Sequence, residues 1–284
     1  MIGERVDSIG SAGQRNWPVA LAVPLGVLVA AASLAAILLP ASYANETAEW
    51  AAQGVAQDWI DLVVAVPLLV VGILLTQRRQ PFGRSLLLGT AMFLAYSFAI
   101  YAFDIHFNQL FLIYCAILGL SAFCAGGLAL PWLGNAALPP QPPVRGRRIA
   151  GWFLVTVAIS FGLLWLAMIV PPTFQGSVPA AIKAAGLPTN PVHVLDLSLF
   201  LPAQVIVGIS LLRGRTTGIG LAPAFLVFGA VMATNLAALA VASRAQEGSG
   251  LGMAAAFVLF ALVEGVVLAD LRPNRGQRVL QPDG

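Results

Sequence analysis

Both histidines of this 284-residue chain and four of its carboxylates fall in three short stretches: Asp58 and Asp61, Asp104 and His106, His193 and Asp196. Asp58 and Asp61 are three residues apart, as are His193 and Asp196, so each pair shares a helix face. Imidazole and carboxylate side chains are ligands for Zn²⁺ or Mn²⁺, and histidine also titrates near neutrality, which suits a pH-responsive site. No HExxH spacing accompanies them. Carboxylates near helix N-termini are also favoured by the helix dipole, by about 0.3–1 kcal/mol each. A solvated acidic rim is therefore the competing reading of all six residues, which are expected at one surface of the protein.

A second group of polar residues stands inside long apolar runs. Glu264 lies within FVLFALVEGVVLADLRP, eight residues before Arg272. An ionisable group inside a membrane span faces the bundle interior or a water-filled cavity by default. It is either a functional group or a neutral carboxyl making one structural hydrogen bond. Gln204 and Asn235 also stand within apolar runs, where interhelical hydrogen bonding accounts for them. Pro67 and Pro202 each fall six residues after an aspartate in similar phrases, DLVVAVP and DLSLFLP. Proline removes a backbone donor and frees a carbonyl. Matched interruptions in two repeats are a sequence pointer to a binding or transport site, although proline is also common in ordinary membrane helices.

The elements that must position these residues follow from composition. Hydrophobic residues make up 59% of the chain and charged residues 10%, against about 25% charged in a soluble domain. Too few charges remain to cover a water-facing surface. Eight apolar runs, at about 17–39, 59–76, 85–103, 107–133, 149–170, 195–212, 219–242 and 251–269, match the roughly 30 Å hydrocarbon core as helices. Helices satisfy their backbone internally, as lipid requires, and the runs lack the alternation of a barrel strand. The fold class is all-α and polytopic, with the lipid bilayer as first partner. Ser42-Tyr43-Ala44 resembles a signal cleavage site, but the run Val19–Leu39 exceeds the usual 7–15-residue signal core, so a retained helix is expected. Cys115 and Cys124 are nine apart on one predicted helix, hence on opposite faces and unable to bridge.

Thirteen of the fifteen Lys and Arg residues fall at the two termini or between spans two and three, four and five, and six and seven. Only Lys183 and Arg244 fall on the other side. The positive-inside rule places both termini in the cytoplasm. The basic residues are spread over five segments, which argues against nucleic-acid binding. The Arg-, Ala- and Gly-rich usage with one lysine points to a GC-rich bacterial genome, and so to a bacterial plasma (inner) membrane.

The similar phrases 58–79 and 193–215 are about 135 residues apart. Each follows an apolar run that opens near a tryptophan, closes at proline and leads into an outer loop of about 20 residues. The expected organisation is a duplicated four-helix unit: residues 1–133, a Pro/Arg-rich cytoplasmic linker 134–148, a second unit at 149–271, and a cytoplasmic tail 272–284. Four spans per unit put both copies in one orientation, as parallel repeats about an axis along the membrane normal.

The phrases TNPVHVLDLSLFLPA (189–203) and FNQLFLIYCAILGLS (107–121) resemble a widespread family of uncharacterised bacterial integral membrane proteins. The resemblance implies the same polytopic topology. The family has no established activity, so nothing catalytic is implied.

No P-loop, GxSxG or soluble catalytic domain is present. The leading expectation is a transporter-like or small-ligand-binding protein. Its site lies between the repeats and opens to the outer face, formed by Asp61, Asp196, Pro67, Pro202, Gln204, Asn235 and Glu264. The sparse polar interior favours a lipophilic ligand. The alternatives are a non-catalytic accessory subunit with a membrane-protein partner, and a membrane metalloenzyme. The latter would hold a divalent metal on His193, Asp196, Asp58, Asp61, His106 and Asp104.

Overall fold

The computed structural model describes residues 2–134, 139, 141–243 and 250–272, with side chains from Trp17 onward, Pro40 excepted. Residues 135–138 and 140 of the proline-rich linker, Arg244, Arg275 and Arg278 lie outside the described residues, as do the side chains of Arg5 and Arg15.

Eight helices are long and apolar enough to cross a membrane: α1 (Ile2–Leu38, apolar from Trp17), α2 (Ala48–Gln77), α3 (Pro81–Asp104), α4 (Phe111–Leu133), α5 (Val144–Phe174), α6 (Pro191–Leu212), α7 (Thr216–Ser243) and α8 (Gly250–Asp270). No strand occurs among the described residues. Large aliphatic side chains such as Val27, Leu163, Leu259 and Val266 stand exposed around the perimeter. Water would not tolerate an apolar belt of this extent; it belongs in lipid. The fold is that of a multi-pass integral membrane protein.

Helix packing follows the same pattern in each half of the chain. α1 packs on α2 and α4, α2 on α3, and α3 on α4; α5 packs on α6 and α8, α6 on α7, and α7 on α8. α3 and α7 are the most buried spans and cross each other at the centre. Their closest approach uses Gly89: a Cβ there would sit 2.5 Å from the Ala224 carbonyl oxygen. Gly89 and Ala224 are 135 positions apart.

Other features recur at the same spacing. Asp61–Ala65 and Asp196–Phe200 are both wide π turns, closed by Val66 N–H donating to Asp61 O and by Leu201 N–H donating to Asp196 O. Each ends just before the proline. A proline ring clashes with the carbonyl four residues earlier in a regular helix, and the wider turn moves that carbonyl away. The prolines thus leave α2 and α6 continuous rather than interrupted. Arg79 (φ +54°) and Gly214 (φ +69°) turn the chain in the left-handed region after α2 and α6.

The connections depart from the expected pair of 20-residue outer loops. α2 begins at Ala48, capped by the Thr47 side chain accepting from Trp50 N. Its first three turns occupy what the hydropathy of the sequence left as loop, because Glu49, Gln53, Gln57 and Asp58 lower the hydropathy there while the alanines and glutamines favour helix. In the second half the corresponding stretch is broken. A six-residue helix, Ala180–Ala185, ends at Gly186 (φ +71°), and α6 restarts after Asn190, whose side chain accepts from His193 N. Proline at 188 and 191 helps prevent one continuous helix.

Arg84 is not only a topology charge. It is part-buried, donates to the Leu128 and Gly127 carbonyls at 2.8–3.3 Å, and lies over the Trp132 ring at 5.2 Å. Cys115 is exposed and Cys124 buried, and neither is in a disulfide.

Candidate functional site

A cavity of about 530 Å³ lies between the two halves. The first turns of α2 and the second half of α3 form one wall; α5, α6, α7 and α8 form the others. Its rim, at the end away from the termini, includes Thr47, Trp50, Ala181, Leu187 and Asn190. On the second-half side the short helix Ala180–Ala185 and the break after it supply Ala181, Ile182, Leu187 and Asn190 to the lining. Glu264 lies at the deep end, about 21 Å along α8 from Gly250 at 1.5 Å per residue.

A polar ladder runs down one side. At the rim Gln53 donates to Ser243 Oγ at 3.1 Å. One turn deeper Gln57 Nε2 donates to Asp61 Oδ1 (3.0 Å) and to Ser97 Oγ (3.4 Å), while its Oε1 accepts from Asn235 Nδ2 at 2.5 Å. Gln57 thereby joins α2, α3 and α7. Gln57 was not among the residues expected at the site, although its four-residue spacing to Asp61 is a readable helical pair.

The opposite side carries Asp196, whose Oδ2 accepts from Trp165 Nε1 at 2.8 Å. The His193 ring lies 4.7 Å from the Trp165 ring. Gln204 lines the wall and donates to the Leu154 carbonyl at 3.0 Å. Tyr96, Phe200 and Phe228 pack edge and face at 4.7–5.9 Å between centroids.

Glu264 is 4% exposed, and its Oε2 has no hydrogen-bond partner. Its carboxyl occupies the space a side chain at residue 229 would take; Gly229 leaves that space open. Phe257 and Phe260 precede Glu264 by seven and four residues, on the same helix face, and also line the cavity.

Of the residues expected at the site, Asp196, Gln204, Asn235 and Glu264 line this one cavity. Asp61 does not; it is fully buried behind Gln57, one hydrogen bond from the wall. Pro67 and Pro202 are exposed on the outside of the bundle, away from the cavity. Each follows its aspartate by six residues, and the π turn between them carries the two side chains to different faces.

The outer Asp/His set also separates. Asp58 and Asp61 are not on the surface: they are 2% and 0% exposed, because α2 begins ten residues earlier and carries them into the bundle. Asp58 accepts from Tyr43 Oη (2.5 Å) and Tyr101 Oη (3.3 Å). His106 pairs instead with Glu46 at 3.1 Å in the connections beyond α1 and α3, and Asp104 closes α3. No group of three His, Cys, Asp or Glu side chains able to share a metal ion occurs among the described residues. A divalent ion needs several such ligands converging, so the six-residue metal site is not formed.

Compared with protein-family models, curated proteins and solved structures, the chain matches none. No family model supports the resemblance of residues 107–121 and 189–203 to a membrane-protein family, and no comparison assigns a role to a residue of the cavity. Fold and cavity together define a multi-pass membrane protein with a mostly apolar internal chamber that carries a few polar side chains.

Proposed function

We propose that this protein binds, or carries across the membrane, a small lipophilic molecule in the cavity between its halves. The carrying observation is the cavity itself: it is drug-sized, mostly apolar, open at one end, and lined at separate points by the polar residues Asp196, Asn235 and Glu264. The open end faces outward and both termini face the cytoplasm of a bacterial cell, as the distribution of arginines favours.

The two halves are a duplicated unit related by a pseudo-two-fold axis along the membrane normal, with residues 134–148 as the linker. The equivalent helix pairings, the two π turns and the Gly89–Ala224 contact support this, since a residue touching its own counterpart is the mark of a two-fold axis.

The test is cysteine accessibility. In a Cys115→Ser, Cys124→Ser background, Met232→Cys within the cavity reacts with a membrane-impermeant maleimide applied to the outer face, and Leu94→Cys in the packed core does not. A folded Met232→Cys protein that resists the reagent from the outside refutes an open outward chamber.

A second reading, a subunit docked to another membrane protein, is favoured by one observation. Cys115, Ala122 and Gly126 are exposed along one side of α4, and a Cβ at Gly119 or Gly126 would meet nothing within 4 Å. Small residues of this kind let a partner helix approach closely.

A further inference from the structure

The walls of the cavity carry one sign of charge. Glu49 stands at the rim, Asp196 midway and Glu264 at the deep end, and no Lys or Arg lines the chamber among the described residues. Glu264 is the most demanding of the acids. It is 4% exposed, no hydrogen bond reaches its Oε2, and Gly229 clears the space in which its carboxyl sits. An isolated carboxyl in apolar surroundings takes up a proton, and carries its negative charge there only when a positive group accompanies it.

The rest of the lining is aromatic to an unusual degree. Tyr96, Trp165, Phe200, Phe228, Phe257 and Phe260 all face the same chamber. Aromatic faces attract cations through the ring quadrupole, most strongly where water is excluded. They repel anions for the same reason. A bare metal ion does not fit this environment, because it needs several oxygen or nitrogen ligands at once and none converge among the described residues. The cation must bring its own apolar body to fill a volume of about 530 Å³.

We propose that the ligand is a lipophilic organic cation, its positive centre beside the Glu264 carboxylate and its apolar groups against the aromatic walls. This rests on the reading of the chamber as a ligand site and adds the charge and class of the ligand. Asp196 and Glu49 mark a descending path of negative charge from rim to floor.

The experiment uses the full chain in nanodiscs and a series of probes of similar shape and different charge: tetraphenylphosphonium, neutral triphenylphosphine oxide and anionic tetraphenylborate. Binding to empty nanodiscs is subtracted. Saturable binding of tetraphenylphosphonium is expected, with the oxide at least tenfold weaker and no saturable binding of the borate. Glu264→Gln is expected to weaken tetraphenylphosphonium at least tenfold, and Asp196→Asn severalfold. Equal binding of cation and neutral oxide would leave the ligand chamber standing and overturn its cation selectivity. Unchanged cation binding in Glu264→Gln would do the same. If no probe binds, the cation proposal fails, and labelling of Met232→Cys separately decides whether the chamber is open. Should Glu264→Gln fail to fold, the wild-type charge series and Asp196→Asn decide the matter.

Discussion

Asn235 on α7 donates its side-chain N–H to Gln57 on α2 at 2.5 Å, across 178 residues of sequence. Gln57 passes the connection to Asp61, a carboxylate with no exposure at all. One amide therefore links the wall of the cavity to a buried acid behind it. Replacing Gln57 by leucine leaves Asp61 Oδ1 and Asn235 Nδ2 without partners. Each orphaned buried group costs about 1–3 kcal/mol, so Gln57→Leu is expected to lower the thermal midpoint of purified protein clearly. A midpoint within one degree of wild type would show that this link carries no stability.

Gly89 and Gly119 make a contrasting pair. A Cβ at residue 89 meets the Ala224 carbonyl and the Val227 side chain, whereas one at residue 119 meets nothing. Gly89→Ala is expected to force α3 and α7 apart and destabilise by about 1–3 kcal/mol. Gly119→Ala is expected to be neutral, or stabilising by up to about 1 kcal/mol from helix propensity. Denaturation of the two variants in the same detergent compares them directly.

Arg79 and Gly214 hold the same left-handed turn with opposite ease. A residue with a side chain pays about 1–2 kcal/mol in that region. Arg79→Gly is expected to raise stability by up to about 1 kcal/mol, and Gly214→Ala to lower it by about as much. Both variants keep the basic residues flanking the turn, so reporter-fusion topology is expected to be unchanged.

Tyr43, in the turn after α1, donates to Asp58 and lies 3.2 Å from Tyr101 Oη. Burial, and then the neighbouring Asp58 carboxylate, push its phenol well above the ordinary value. A group raised in the folded state contributes stability below its unfolded value, near pH 10, and loses it as pH rises beyond. Wild type is therefore expected to exceed Tyr43→Phe in stability by about 1–3 kcal/mol at neutral pH. The gap narrows above about pH 10, because there the unfolded wild-type phenol ionises and phenylalanine does not. Unfolding curves of both proteins from pH 7 to pH 11 check the sign.

Pro67 and Pro202 stand outside the bundle. Pro67→Ala and Pro202→Ala are accordingly expected to leave maleimide labelling of Met232→Cys within about twofold of the parent. A loss of labelling with either would return the prolines to the site.

Much of the architecture was legible in the residues alone. Eight apolar runs became eight spans, since a 20-residue stretch without charge has one satisfactory solution in lipid. Asn190-Pro191 has the composition of a helix start, a capping side chain followed by proline at the first position, and Asn190 caps that helix. Cys115 and Cys124 fall on different faces, as helix geometry requires. The start of α2 was misplaced because its first turns are helical but not apolar, and hydropathy sees only the latter.

Which polar residues meet was decided by tertiary structure. In a soluble helix the apolar stripe tells which face is inward. In a membrane helix both the lipid face and the packed face are apolar, so sequence carries little record of direction. Asp61 and Asp196 occupy matching places in matching phrases, yet one is sealed behind Gln57 and the other lines the chamber. The difference lies in distant partners. Tyr43 and Tyr101 close the space around Asp58 in the first half. In the second half Leu187 and Asn190, in the break after the helix Ala180–Ala185, line the chamber together with His193 and Asp196. The sequence determined where the helices are and that a few of them carry charge into the membrane; only packing decided that Glu264, Asp196 and Asn235 share one cavity while both prolines face away from it.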